Sequence, residues 1–112
     1  MARRELTLTG YAGTMVLVPS PKNERDSVEA LRITVFGPNF PQRAVEPELM
    51  VGKLAAQRVT IARDQRSLHG YFFGIPPSGS RIRVRYGESQ EGVLRAAFRR
   101  SDVRPLPAGC QG

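Results

Sequence analysis

Apolar and polar residues alternate along most of the chain. Leu31, Ile33 and Val35 alternate with Arg32 and Thr34, Val59 and Ile61 with Arg58 and Thr60, and Ile82, Val84 and Tyr86 with Arg81, Arg83 and Arg85. A period of two places every second side chain on one face of a strand, so each run buries one face and wets the other. Runs of this kind, or runs rich in β-branched residues, cover 5–9, 14–18, 30–36, 48–52, 57–63, 67–73, 80–86 and 92–99. The joints between them carry turn chemistry, as in Pro19-Ser20-Pro21, Gly37-Pro38-Asn39 and Pro76-Pro77-Ser78-Gly79. A helix over Glu46–Ala56, opened by Pro47, is the strongest competitor, and Gly52 and its short length weigh against it. The pattern predicts an all-β protein with almost no helix, built as two sheets packed face to face with about seven strands. Leu31, Ile33, Val35, Val59, Ile61, Ile82, Val84 and Phe98 form the expected core.

The order of these features resembles the IPT/TIG family of immunoglobulin-like domains. That family opens on a short strand ending near Pro-Ser, continues into a strand of the type Ile-Thr-Val-x-Gly-x-x-Phe, and follows it with a short strand ending at Gly. Met15 to Ser20, Leu31 to Phe40 and Leu49 to Gly52 match in that order. Val59-Thr60-Ile61, Leu68 to Phe73 with Pro76 to Gly79, Ile82 to Tyr86 and Val93 to Phe98 then fall into place. The glycine pair that usually precedes the second strand is replaced by Asp26-Ser27-Val28-Glu29. The resemblance implies an immunoglobulin-like antiparallel sandwich over residues 14–100. Residues 1–13 would be an extension with room for an extra strand, and 101–112 a Pro/Gly-rich tail. It also implies a habit of acting as an interaction or accessory module, because such domains occur in receptors, carbohydrate-active enzymes and transcription factors. Fold alone does not choose among these.

The 112 residues and 12.4 kDa suffice for one domain, and 40% hydrophobic with 24% charged residues is the balance of a folded chain. No apolar run approaches the about 20 residues of a membrane-spanning helix. Met1-Ala2-Arg3-Arg4 has the charge of a signal-peptide start, but Glu5, Thr7 and Thr9 interrupt the apolar core such a signal needs. A single cysteine, Cys110, excludes an internal disulfide and a multi-cysteine zinc site.

Catalytic chemistry is not expected. His69 is the one histidine; Ser67 shares its strand face but at about 7 Å, beyond hydrogen-bond reach. The carboxylate pairs Glu46/Glu48 and Glu88/Glu91 sit where nothing apolar would raise a pKa. No phosphate-binding loop, metal-ligand spacing or cofactor motif is present, so neither metal nor cofactor is expected.

Charge redraws this picture in one place. The net charge is +7, with 15 arginines to 2 lysines. Residues 57–112 hold ten arginines against four carboxylates. A hairpin turning at Glu88–Gly92, with Gly92 left-handed, would set Tyr86 opposite Leu94, Val84 opposite Ala96 and Ile82 opposite Phe98. Its other face would gather Arg81, Arg83, Arg85, Arg95 and Arg99, a candidate anion-binding surface whose guanidiniums suit phosphate. The alternative to a module that binds another protein or a neighbouring domain is therefore a nucleic-acid or polyanion binder. An OB-like barrel would serve that role as well, with Tyr71, Phe72 and Phe73 as stacking candidates.

Overall fold

The computed structural model describes residues 4–106; Cys110 and the rest of the tail lie outside the described residues. Ten strands follow in order: β1 Arg4–Glu5, β2 Gly10–Pro19, β3 Ser27–Phe36, β4 Glu48–Val51, β5 Leu54–Ala55, β6 Gln57–Ile61, β7 Ser67–Phe72, β8 Ile82–Tyr86, β9 Gln90–Val93 and β10 Val103–Arg104. Helix among the described residues is confined to a single 3-10 turn, Arg100–Asp102. The competing helix at Glu46–Ala56 is instead the β4–β5 hairpin, with Gly52 in the left-handed region at φ 61° in its turn.

The strands form two five-stranded sheets, ordered β1-β9-β8-β4-β5 and β10-β2-β3-β7-β6. The sheets pack together without closing, so the fold is a sandwich and the OB-like barrel is corrected. Closure needs an edge strand bonded to both sheets. Here the chain leaves β5 through Ala56 and starts β6 in the other sheet, and both remain edges. Each sheet gains a short parallel strand at one edge: β1 beside β9 and β10 beside β2. The first and last strands thereby add to opposite sheets. Gly10–Gly13 belongs to the same strand as Thr14–Pro19, so β2 runs across the expected boundary at residue 14.

Alternation sets the faces as expected. Leu31, Ile33 and Val35 of β3, Ile82, Val84 and Tyr86 of β8, Leu49 and Val51 of β4, and Leu68 and Phe72 of β7 point between the sheets and are buried. Phe98 joins them, together with Leu6, Phe40 and Leu94 from irregular segments. Val59 and Ile61 are only half-buried, which corrects two of the expected core positions. They lie on an edge strand whose register against β7 slips between Gln57 and Thr60, where Arg58 takes φ 55°. A bulge at an edge lifts side chains away from the facing sheet.

The β2–β3 ribbon is longer than its neighbours. It pairs from Gly10↔Phe36 to Pro19↔Ser27, whereas β7 covers only Leu31–Phe36 and β10 only Gly13 and Thr14.

Candidate functional site

The hairpin that was expected to align the five arginines closes elsewhere, so Arg95 and Arg99 fall outside its paired strands. Tyr86 pairs with Gln90, Arg85 with Glu91, Val84 with Gly92 and Arg83 with Val93. The turn is Gly87-Glu88-Ser89, held by the Ser89 N–H and hydroxyl, both donating to the Tyr86 carbonyl at 3.1 and 3.0 Å. Gly87, at φ 54°, takes the left-handed position that was expected of Gly92. Gly92 is glycine for space: a Cβ there would sit 2.2 Å from the Leu6 carbonyl oxygen. With the turn this early, the expected strand over 92–99 ends at Val93, and Leu94 and Phe98 reach the core from an irregular segment.

Arg85 lies between acids. Glu48 and Glu91 are its direct neighbours on β4 and β9, and its Nη2 donates to Glu48 Oε2 at 2.7 Å. That hydrogen bond and charge raise its already high pKa further. Arg83 faces Val93 and Met50, with Nη2 3.8 Å from the Met50 sulfur, and Arg81 donates to the Arg95 carbonyl at 2.9 Å. Arg99 stands at the foot of the 3-10 turn, where its backbone N–H donates to the Tyr11 hydroxyl at 3.0 Å and that hydroxyl donates to Asp102. The expected hairpin would have set Arg85 opposite Arg95; β9 instead brings the carboxylate of Glu91 beside it.

His69 is on the outer face of β7, opposite Thr34 of β3 and Thr60 of β6, with its ring edge-on to Tyr71 at 5.7 Å. Neither cross-strand neighbour is an acid that would orient it as a base. An open groove of about 340 Å³ runs between β4–β5 and β6, past Glu46, Glu48 and Arg58. Among the described residues no group of His, Cys, Asp and Glu could hold a metal ion.

Burial, and then the charge of Arg32, lower the His69 pKa below 6.5. The folded state therefore favours the neutral ring. As pH falls through 6.5 the unfolded chain takes up its proton first, so stability that is complete above 6.5 declines below it until the folded-state pKa is passed. His69→Gln is expected to lose less stability than wild type between about pH 7.5 and pH 5, measured as urea midpoints at each pH. Parallel profiles would show that the imidazole is indifferent to folding.

The second surface is an edge. The Ser20 N–H bonds the Asp26 carbonyl at 2.8 Å, just beyond the last β2–β3 pair. Bonded and non-bonded pairs alternate in an antiparallel ladder, so the bonded positions of β2 are its even-numbered residues. The backbone groups of Met15 and Leu17, and the Pro19 carbonyl, point away from β3. Among the described residues no strand pairs there beyond Thr14. The whole of β2 lacks a charged residue, and Leu17 is 61% exposed. An uncharged, uncovered edge is a template for another strand. The composition of β2 hinted at this in the sequence, but which strand stands at an edge is settled by topology.

Among the described residues no helix is long and apolar enough to cross a membrane. Comparison with family models, with curated proteins and with solved structures finds no match to this chain.

Proposed function

We propose that the chain is a non-catalytic, immunoglobulin-like interaction module that holds another protein or a neighbouring domain, and that it does so along the free edge of β2. The observation that carries this reading is the outward edge of β2 at Met15, Leu17 and Pro19, which pairs with no strand among the described residues and carries no charge, with Leu17 61% exposed. Strand addition at such an edge takes its affinity from main-chain hydrogen bonds. In keeping with a non-catalytic reading, the histidine has only threonines as cross-strand neighbours. The arginine-strand alternative is less favoured because Arg85 is engaged by Glu48.

A second copy is the simplest partner, because the edge is compatible with itself. β10 blocks it up to Thr14, so the two-fold axis falls at Leu17. Each Leu17 N–H then meets the other Leu17 carbonyl, and each Met15 N–H meets the partner's Pro19 carbonyl. Pro19 has no N–H to offer and ends the ladder. Sedimentation velocity from low-micromolar to millimolar protein is expected to show a dimer whose Met15 and Leu17 amides gain protection from hydrogen exchange. Leu17→Lys should restore the monomer without loss of fold. Unprotected amides at every concentration, with wild type and Leu17→Lys sedimenting alike, would refute the edge.

A further inference from the structure

The outward face of the β10-β2-β3-β7-β6 sheet carries a different chemistry, away from that edge. Down β7 the buried residues Leu68, Gly70 and Phe72 alternate with His69 and Tyr71, so two rings stand on the outer face, and Phe73 follows directly after the last residue of the strand. Alternate strand residues are about 7 Å apart. Phe73 is 41% exposed. Phe36 at the end of β3 is 42% exposed, its cross-strand neighbours Gly10 and Ser67 being too small to cover it. Of the stacking candidates read from the sequence, Phe72 is therefore core, 2% exposed, and His69 takes its place in the outer row.

Arg32 is the direct neighbour of Tyr71 on β3 and is close enough to depress the protonation of His69. Arg104 reaches the same face opposite Thr14, in the row that contains Arg32. None of the outward residues paired across this sheet from Gly10 to Thr14, Arg32 to Phe36 and Ser67 to Tyr71 is an aspartate or glutamate. The nearest in sequence are Asp64, which accepts the Arg66 N–H in its own turn at 3.0 Å, and Glu29 of β3, which pairs with Leu17 of β2 at a position of the opposite parity to Arg32. Among the described residues no carboxylate forms an ion pair with Arg32, and the whole chain carries +7.

We propose that this face binds single-stranded nucleic acid, with bases laid on Tyr71, His69 and Phe73 and the phosphate backbone drawn to Arg32 and Arg104. Arginines without carboxylates select an anion, and a row of rings selects flat, unstacked surfaces. The ligand that joins both is a single strand, whose bases are free to stack on aromatic side chains. A duplex keeps its bases inside and offers phosphates alone.

The test is fluorescence anisotropy with a labelled oligothymidylate of about 12 nucleotides, a length spanned by one small β domain. The same length as a duplex, and unlabelled heparin as a competitor, are run beside it. The expected results are binding at low salt, preference for the single strand over the duplex, and weak displacement by heparin. Tyr71→Ala should weaken binding about 5- to 150-fold, the range for loss of one stacked base. Arg32→Gln should flatten the log–log salt dependence by about 0.7, the value for one contact on a single strand. Because Tyr71 is half-buried, Tyr71→Phe, which keeps the ring, and Phe73→Ala, at an exposed position, separate stacking from folding: the first should retain binding and the second should lose it. No binding at low salt overturns the proposal. So do equal affinities for duplex and single strand with Tyr71→Ala and Phe73→Ala unchanged, which would reduce the contact to charge.

Discussion

Gly92→Ala is expected to destabilise the domain by about 3 kcal/mol, an unusually large loss for the addition of one methyl group. The added Cβ would lie 2.2 Å from the Leu6 carbonyl oxygen and 3.0 Å from the Leu6 carbonyl carbon and Cβ. These neighbours are backbone or close to it, so no rotamer change relieves the clash. Either β9 or the β1 segment must move. β1 is the weaker, with two paired residues and the Leu6 N–H bond to the Glu91 carbonyl at 2.9 Å. Its displacement takes Leu6, 5% exposed, out of the core. The expectation has an internal check by urea denaturation. If Gly92→Ala acts by expelling Leu6, then Leu6→Ala added to it should cost far less than Leu6→Ala alone. Additive losses, or a Gly92→Ala loss below about 0.5 kcal/mol, would show that the close approach is not what requires glycine.

Val84→Asp should leave no folded protein. Val84 is fully buried at the centre of β8, flanked by Leu49 of β4 and Gly92 of β9, with no group nearby to pair a carboxylate. An unpaired buried charge costs several kcal/mol, comparable with the whole stability of a domain this size, about 5–15 kcal/mol. Arg83→Asp, one residue away on the outward face, should remain folded, because solvent reaches that side chain between Met50 and Val93. Near-ultraviolet circular dichroism and hydrogen exchange distinguish the two variants. If both unfold, or both fold, the assignment of β8's faces is wrong.

How far the chain could be read differs from place to place. The all-β class and the faces of β3, β7 and β8 were legible because a period of two is a local property: Leu31, Ile33 and Val35 mark one side of a strand whatever lies across from it. Val59 and Ile61 show the same alternation and are nevertheless half-exposed, because a period names a face but not whether the strand is central or at an edge. Phe40 was missed for a related reason. It sits in a segment with no period, and its N–H bond to the carbonyl of Gln65, in the β6–β7 turn, anchors it where its ring joins the core.

The hairpin of β8 and β9 marks the boundary most clearly. Two glycines, Gly87 and Gly92, could each supply a left-handed turn, and both closures keep Ile82, Val84 and Tyr86 inward. The alternation that identifies the buried face is therefore blind to the choice. Leu6, from the far end of the chain, makes it by lying against Gly92, where no side chain fits. That contact goes with a register that sets Glu91, in place of an arginine, beside Arg85. The sequence by itself thus determined that this chain forms strands, which side of most of them is dry, and that it is rich in arginine. The tertiary structure decided which arginines stand beside carboxylates, which strand edge stays open, and that His69 and Tyr71 share a face with Arg32. Strand faces follow from neighbours along the chain, whereas register, edges and charge pairing depend on residues that only folding brings together.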